Sequence, residues 1–157
     1  MLTIDDDIII KCEDLSFLLH TWLVNQRVIV GISPRIHRYD AESGDLRYLN
    51  WQYTWWNGAY SIVLTKASVM HRSYILGPDP GPGQGDALPG NSVPIFDRNT
   101  PPRLLSFIDE QRNCEDLAIA HQTTREARAA PVWASVLYYD VANGGISSGG
   151  AAHFQKR

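Results

Sequence analysis

The sequence predicts an α/β fold in which a mixed sheet is flanked by helices, and three features carry that expectation. Two β-branched runs, Ile8-Ile9-Ile10 and Val28-Ile29-Val30-Gly31-Ile32, lack the polar alternation of a half-wetted strand. Between them, Cys12 to Trp22 places apolar residues at helical spacing. Further apolar runs, Tyr60 to Thr65 and Pro131 to Tyr139, read as strands separated by helical stretches.

Composition bounds what such a fold can do. A chain of 157 residues can hold one domain with a real core and is too short for two ordinary ones. Its 44% hydrophobic and 20% charged residues match a soluble globular protein. A formal charge of -3 argues against nucleic acid or an anionic membrane as a partner through bulk electrostatics. No apolar run approaches a membrane span, and the first residues lack the basic-then-apolar order of a signal peptide. Cys12 and Cys114 are too few for a disulfide scaffold and wrongly spaced for a zinc site.

Taken in order, Met1 to Ile10 reads as a strand covered on both faces and interrupted by Asp5-Asp6-Asp7. Three adjacent carboxylates there repel one another and resist burial, a conflict that a cation resolves. A solvated turn or helix cap is the ordinary outcome for such a run. The flanking isoleucines favour a hard-cation site at a strand end. The next element is a helix opening at Cys12-Glu13-Asp14, with Leu15, Phe17, Leu18, Leu19 and Trp22 as its apolar face. The strand from Val28 is stopped by Pro34. Arg35 to Asn50 is polar and crosses between strands, and the aromatic run Tyr48 to Trp56 reads as a strand or hairpin.

After the Tyr60 strand comes a short helix around Ala67 to Tyr74. The Pro/Gly-rich segment that follows, an insertion over 77–95, reads as a surface loop. Its prolines remove the N–H donors that a phosphate cradle needs. Thr100 caps a helix whose first turn holds Pro101 and Pro102. A second helix spans Asn113 to about Arg128, with Glu115 and Asp116 in its first turn, where they complement the helix dipole. Asn143 to Gly150 is a Gly/Ser loop.

The blocks IDDDIIIKCEDLSFLLHTW, VIVGISPRIH, YSIVLTKAS, RNCEDLAIA, GGISSGG and HFQKR occur in this order. In that order and spacing they resemble glycosyltransferase family 64, the exostosin and exostosin-like proteins with their plant relatives. The resemblance implies a GT-A-type, Rossmann-like glycosyltransferase domain that is incomplete. Residues 1–157 would be its C-terminal portion, facing metal, sugar and acceptor, and the nucleotide-gripping half would precede it.

The resemblance also implies roles. Asp7 would be the metal ligand, with Asp5 and Asp6 towards the ribose and sugar. The metal would be Mn2+, with Mg2+ chemically close. Asp116, beside Glu115, would face the donor sugar near its reacting carbon, either stabilising an oxocarbenium-like transition state or acting as a nucleophile. Arg157 matches an arginine that pairs with the diphosphate or the sugar. Arg35 and His37 lie in a stretch lining the acceptor side. Trp51, Trp55 and Trp56 can stack on sugar rings, with core packing the more ordinary role. Asn57-Gly58-Ala59 stands where family members often carry an acidic residue.

The function expected is a retaining, metal-dependent transfer of an N-acetylhexosamine or related hexosyl unit from a UDP-sugar to a glycan or glycolipid acceptor. The alternative is a truncated, non-catalytic fragment that binds glycan or metal. The family further implies homo- or hetero-oligomers and residence in the Golgi or endoplasmic reticulum, on the lumenal side. Membrane attachment would come only through segments outside this chain.

Overall fold

The computed structural model describes residues 1–76, 102–111 and 114–140. The expected α/β architecture is observed, as a mixed, largely antiparallel open sheet flanked by helices. Strands β1 (Leu2–Ile4), β5 (Ile62–Val69), β3 (Val30–Asp40) and β4 (Asp45–Leu49) lie in the order β1-β5-β3-β4, each pair antiparallel. Strand β6 (Val132–Trp133) joins β3 in parallel, aligning Val30 with Val132 and Gly31 with Trp133. A separate two-stranded sheet pairs β2 (Ile8–Ile10) with β7 (Tyr138–Asp140).

The core follows from the β-branched runs. Leu18, Val30, Val63 and Met70 are fully buried; each aliphatic side chain among them contributes about 1.5–3 kcal/mol relative to exposure. Helix α1 (Cys12–Leu23) packs Leu18, Leu15 and Trp22 against Val30, Ile32, Ala67 and Val69. Its Phe17 and Leu19 face outward, so the apolar face is narrower than expected. The long helix after Cys114, here α5 (Glu115–Ala127), sets Leu117 and Ala120 against Ile62 and Leu64. Gly31 sits where β3, β5 and β6 converge. A Cβ there would lie 2.7 Å from Val63 Cγ1 and 2.9 Å from the Ala67 carbonyl oxygen, so only glycine fits the close approach.

Several expectations are corrected. Met1 to Ile10 is not one strand covered on both faces. It is two three-residue strands in different sheets with a turn between them, and Leu2, Ile4 and Ile9 are exposed. Pro34 does not stop β3: it stays in register with Val63 of β5, and on the other edge of the strand it falls between the end of the β6 pairing at Gly31 and the start of the β4 pairing at Ile36. On that edge no ladder needs its missing N–H, and its carbonyl accepts Arg35 Nη1 at 2.9 Å. The crossing segment after it is a hairpin with Ile36 opposite Leu49 and Asp40 opposite Asp45.

The aromatic run is a helix, α2 (Trp51–Asn57), rather than a strand or hairpin. Asn50 caps it by accepting the Gln52 N–H at 3.1 Å, and Gly58 ends it in the left-handed region at φ 64°. These local caps outweigh the β preference of its aromatic residues. Helix α3 is only Ser73–Leu76, because Ala67 to Val69 continue β5. The last apolar run is not one strand either, since β6 and β7 belong to different sheets. Helix α4 (Pro102–Gln111) lies where expected. Thr100, the Pro/Gly loop, the Gly/Ser loop and Arg157 fall outside the described residues. Among those described, no helix is long and apolar enough to cross a membrane.

Candidate active site

The acidic run forms a tight turn that hangs on β5. The Asp5 N–H donates to the Lys66 carbonyl at 2.8 Å, and the Ile8 N–H closes the turn on the Asp5 carbonyl at 3.2 Å. Lys66 Nζ stands 3.6 Å from Asp7 Oδ2. The other oxygen, Asp7 Oδ1, is buried without a hydrogen-bond partner. A buried carboxylate oxygen left this way carries a desolvation penalty that a cation would relieve. Asp6 is exposed at the turn. Among the described residues no three His, Cys, Asp or Glu side chains converge as a complete metal cage. A donor set of one or two carboxylates is what a hard cation uses when phosphate oxygens and water complete its shell.

Asp116, distant in sequence, lies near enough to this turn for its charge to act on Asp5. Cys114, at φ 74°, turns the chain into α5, so that Glu115 and Asp116 open the helix. Glu115 is exposed, whereas Asp116 is held inward with Oδ1 accepting the Leu117 N–H at 2.7 Å. Burial raises the Asp116 carboxyl above its usual range; the Leu117 bond opposes this, Glu115 adds to it and the Arg35 guanidinium counteracts it. Burial likewise raises Asp5, with Lys66 opposing and the charges of Asp7, Asp116 and Asp6 reinforcing it. Asp5 and Asp116 therefore sense each other across the site. Burial and the neighbouring Asp116 and Glu115 also raise the Cys114 thiol.

Arg35 is held by its own strand while its charge acts on Asp116. Its Nη1 donates to Ser33 Oγ at 3.1 Å, and the guanidinium lies close enough to the Tyr48 hydroxyl to oppose the rise in pKa that burial causes there. His37 is fixed by Ser61, whose Oγ accepts the His37 N–H at 2.9 Å and lies 2.9 Å from Nδ1. The ring packs 5.5 Å from both Tyr48 and His121, and burial followed by the His121 charge lowers its pKa. Both residues thus belong to one polar layer beneath the site.

A cleft of about 370 Å³ opens beside this layer, lined by Arg35 and Lys66 on its polar side and by Trp51, Trp55, Trp133 and Tyr138 among its apolar residues. Trp133 is braced by Trp55 and Tyr60, with ring centroids 6.1 and 6.0 Å away in edge-on contacts. The tryptophans of α2 are therefore not core residues; Trp51 and Trp55 are about half exposed and Trp56 is 92% exposed. Lys66, Tyr48, His121 and Trp133 were missed from sequence. None stands in a recognisable spacing with the acidic run, and only strand pairing and helix packing bring them in. Asn57-Gly58-Ala59 serves α2 as its C-terminal stop.

Residues 1–77 match the model of the Glycosyl transferase family 64 domain. The chain is 33% identical to Glycosylinositol phosphorylceramide mannosyl transferase 1 of Arabidopsis thaliana over 99% of its length and 42% of that protein's. It is 28% identical to Exostosin-1c of Danio rerio over 84% of this chain and 15% of that one. It is 27% identical to Glycosyltransferase family protein 64 C3 of Arabidopsis thaliana, again over 84% of this chain and 34% of the relative. The chain spans less than half the length of each of these relatives.

Proposed function

We propose that this chain belongs to glycosyltransferase family 64 and carries the metal-, diphosphate- and sugar-facing part of a retaining transferase. Its donor is a UDP-sugar, from which an N-acetylhexosamine or related hexosyl unit passes to a glycan or glycolipid acceptor. A mannosyl transferase of a glycosylinositol phosphorylceramide among the relatives supports both the hexosyl unit and the lipid-linked acceptor. Residence on the lumenal side of the Golgi or endoplasmic reticulum membrane belongs to the same reading.

The observation that carries it is the half-used Asp7 carboxylate, one oxygen towards Lys66 and the other buried and unpartnered. Asp7, with Asp5 beside it, would hold Mn2+ or Mg2+. When bound, the cation supplies Lewis-acid neutralisation of the departing diphosphate. The protein's own groups do the rest. Lys66 holds Asp7 in place and adds positive charge at the diphosphate side. Asp116 presents a carboxylate to the sugar's reacting carbon, where a developing positive charge favours its ionised form against burial. The Arg35 guanidinium partly offsets the effect of burial on that carboxylate. The Trp51–Trp55–Trp133 wall receives the acceptor and excludes water from the reacting centre.

Calorimetry with UDP and Mn2+ tests the reading. Mn2+ is expected to strengthen UDP binding at least tenfold, and Asp7→Ala is expected to remove that enhancement. Metal-independent UDP binding, or Mn2+ binding that UDP does not enhance, sinks the proposal. The Asp turn touches the diphosphate and not the base, so a metal-dependent GDP signal in place of UDP would keep the residue roles and replace the donor. In the corresponding full-length transferase, Asp116→Ala is expected to abolish transfer.

A further inference from the structure

The aromatic side chains of α2 extend beyond the cleft. Trp51 and Trp55 line both the cleft and a second hollow of about 460 Å³, completed by Gln52, Tyr53 and Trp56. Both hollows have volumes typical of small-ligand sites, about 300–1,000 Å³. Tyr53 is 49% exposed and Trp56 is 92% exposed. An exposed cluster of this kind costs solubility unless it is used.

The lining narrows the possible occupant. It contains no charged and no aliphatic side chain. Flat indole and phenol faces suit the C–H faces of a pyranose ring. The Gln52 amide, Tyr53 hydroxyl and indole N–H groups match its hydroxyls. Trp and Tyr have few rotatable bonds and lose little entropy when a ligand orders them. The helix is also held in place: Asn50 and Gly58 cap it, and Trp55 abuts Trp133. A bilayer surface bearing anionic lipid would instead be met by basic residues, and α2 has none.

We propose that this second hollow is a distal subsite for an oligosaccharide. The chain of sugars enters along Trp51 and Trp55 and stacks a pyranose ring, remote from the reacting end, on Trp56 and Tyr53. The subsite deepens the reading of the cleft as the acceptor side and rests on it for the direction of the glycan.

The test uses the whole chain without nucleotide or metal. It is titrated with mannose and N-acetylglucosamine oligosaccharides, from the monosaccharide to the tetrasaccharide, and followed by indole emission and calorimetry. In at least one series affinity is expected to rise about tenfold between disaccharide and tetrasaccharide. Trp56→Ala is expected to erase that step and leave disaccharide affinity unchanged, and Trp56→Tyr to restore most of it, with far-UV circular dichroism reporting an intact fold. Equal affinity at all lengths in both series, or a length step that survives Trp56→Ala, overturns the subsite. So does a Trp56-dependent emission shift with phosphatidylcholine vesicles in the absence of any length step, which would assign the patch to a bilayer. With no nucleotide present, failure here leaves the Asp7 assignment standing, and failure of UDP binding leaves the length step to be read by itself.

Discussion

The acidic corner, which touches the cleft only through Lys66 and Arg35, and the aromatic wall that lines it are assembled by opposite means. The Asp turn and Asp116 are far apart in sequence, and the Asp116 charge acts on Asp5 because the turn hangs on β5 and α5 packs on that strand. Trp51, Trp55 and Trp56 come from seven consecutive residues fixed by a cap at each end. The corner gathers partly buried carboxylates whose charges repel one another, and so opposes folding. The wall leaves large aromatic faces in water and contributes little to folding. Both arrangements set aside stability at the cleft, the first through charge and the second through apolar exposure, and the buried sheet offsets them.

Substitutions can separate the two regions. The largest effect is expected where they share a scaffold. Gly31→Ala should cost about 2 kcal/mol, because the new methyl meets backbone as well as Val63. Denaturant unfolding would measure it, and loss of both nucleotide and oligosaccharide binding should accompany it. Unchanged stability would mean that β3 does not hold the two regions in register. Next in size is Gly58→Ala, at about 1 kcal/mol, since an L side chain is disfavoured at φ 64°. It should loosen the wall and leave the Asp turn untouched, so near-ultraviolet circular dichroism changes while Mn2+-dependent UDP binding persists. If UDP binding falls equally, the wall and the corner are one unit.

The smallest effect is expected from Asp116→Asn, and it has the opposite sign. The folded-state pKa of Asp116 is raised, so its ionisation opposes folding. The relative stability it lends is fully present below the unfolded value and is lost as pH rises through the folded one. The amide keeps the oxygen that accepts the Leu117 N–H and removes the charge. At pH 7 the variant should therefore melt higher by about 2–4 °C, with a smaller loss of stability between acid and neutral pH than the parent chain. A lower melting temperature would show that attraction to the α5 dipole and Arg35 outweighs burial.

Legibility differed between the regions in the same physical way. The acidic run, the Glu115–Asp116 helix start and the β-branched strands could be read locally, because charge repulsion, helix capping and apolar runs leave marks along the chain. Lys66, Tyr48 and Trp133 could not, because each enters the site through pairing with a distant strand or by packing. The Tyr48–Trp56 run misleads for another reason. Aromatic richness favours strands, yet Asn50 and Gly58 supply the start and stop of a short helix, a signal that was present but outweighed. Pro34 misled too, since its effect on a strand depends on whether a partner needs its N–H, and that is a property of the sheet.

For this protein the sequence by itself determined the α/β class, the resemblance to glycosyltransferase family 64 and the presence of a three-carboxylate run that resists burial. Those follow from residue type and order, which act over a few neighbouring positions. The tertiary structure alone decided that Asp5-Asp6-Asp7 is a turn between two sheets rather than a break within one strand. It also decided that Asp7 faces Lys66 with its second oxygen unpartnered, and that Asp116 lies within reach. Those facts depend on which strands pair and which helix covers them, and pairing is settled by the burial of the whole sheet rather than by any local run.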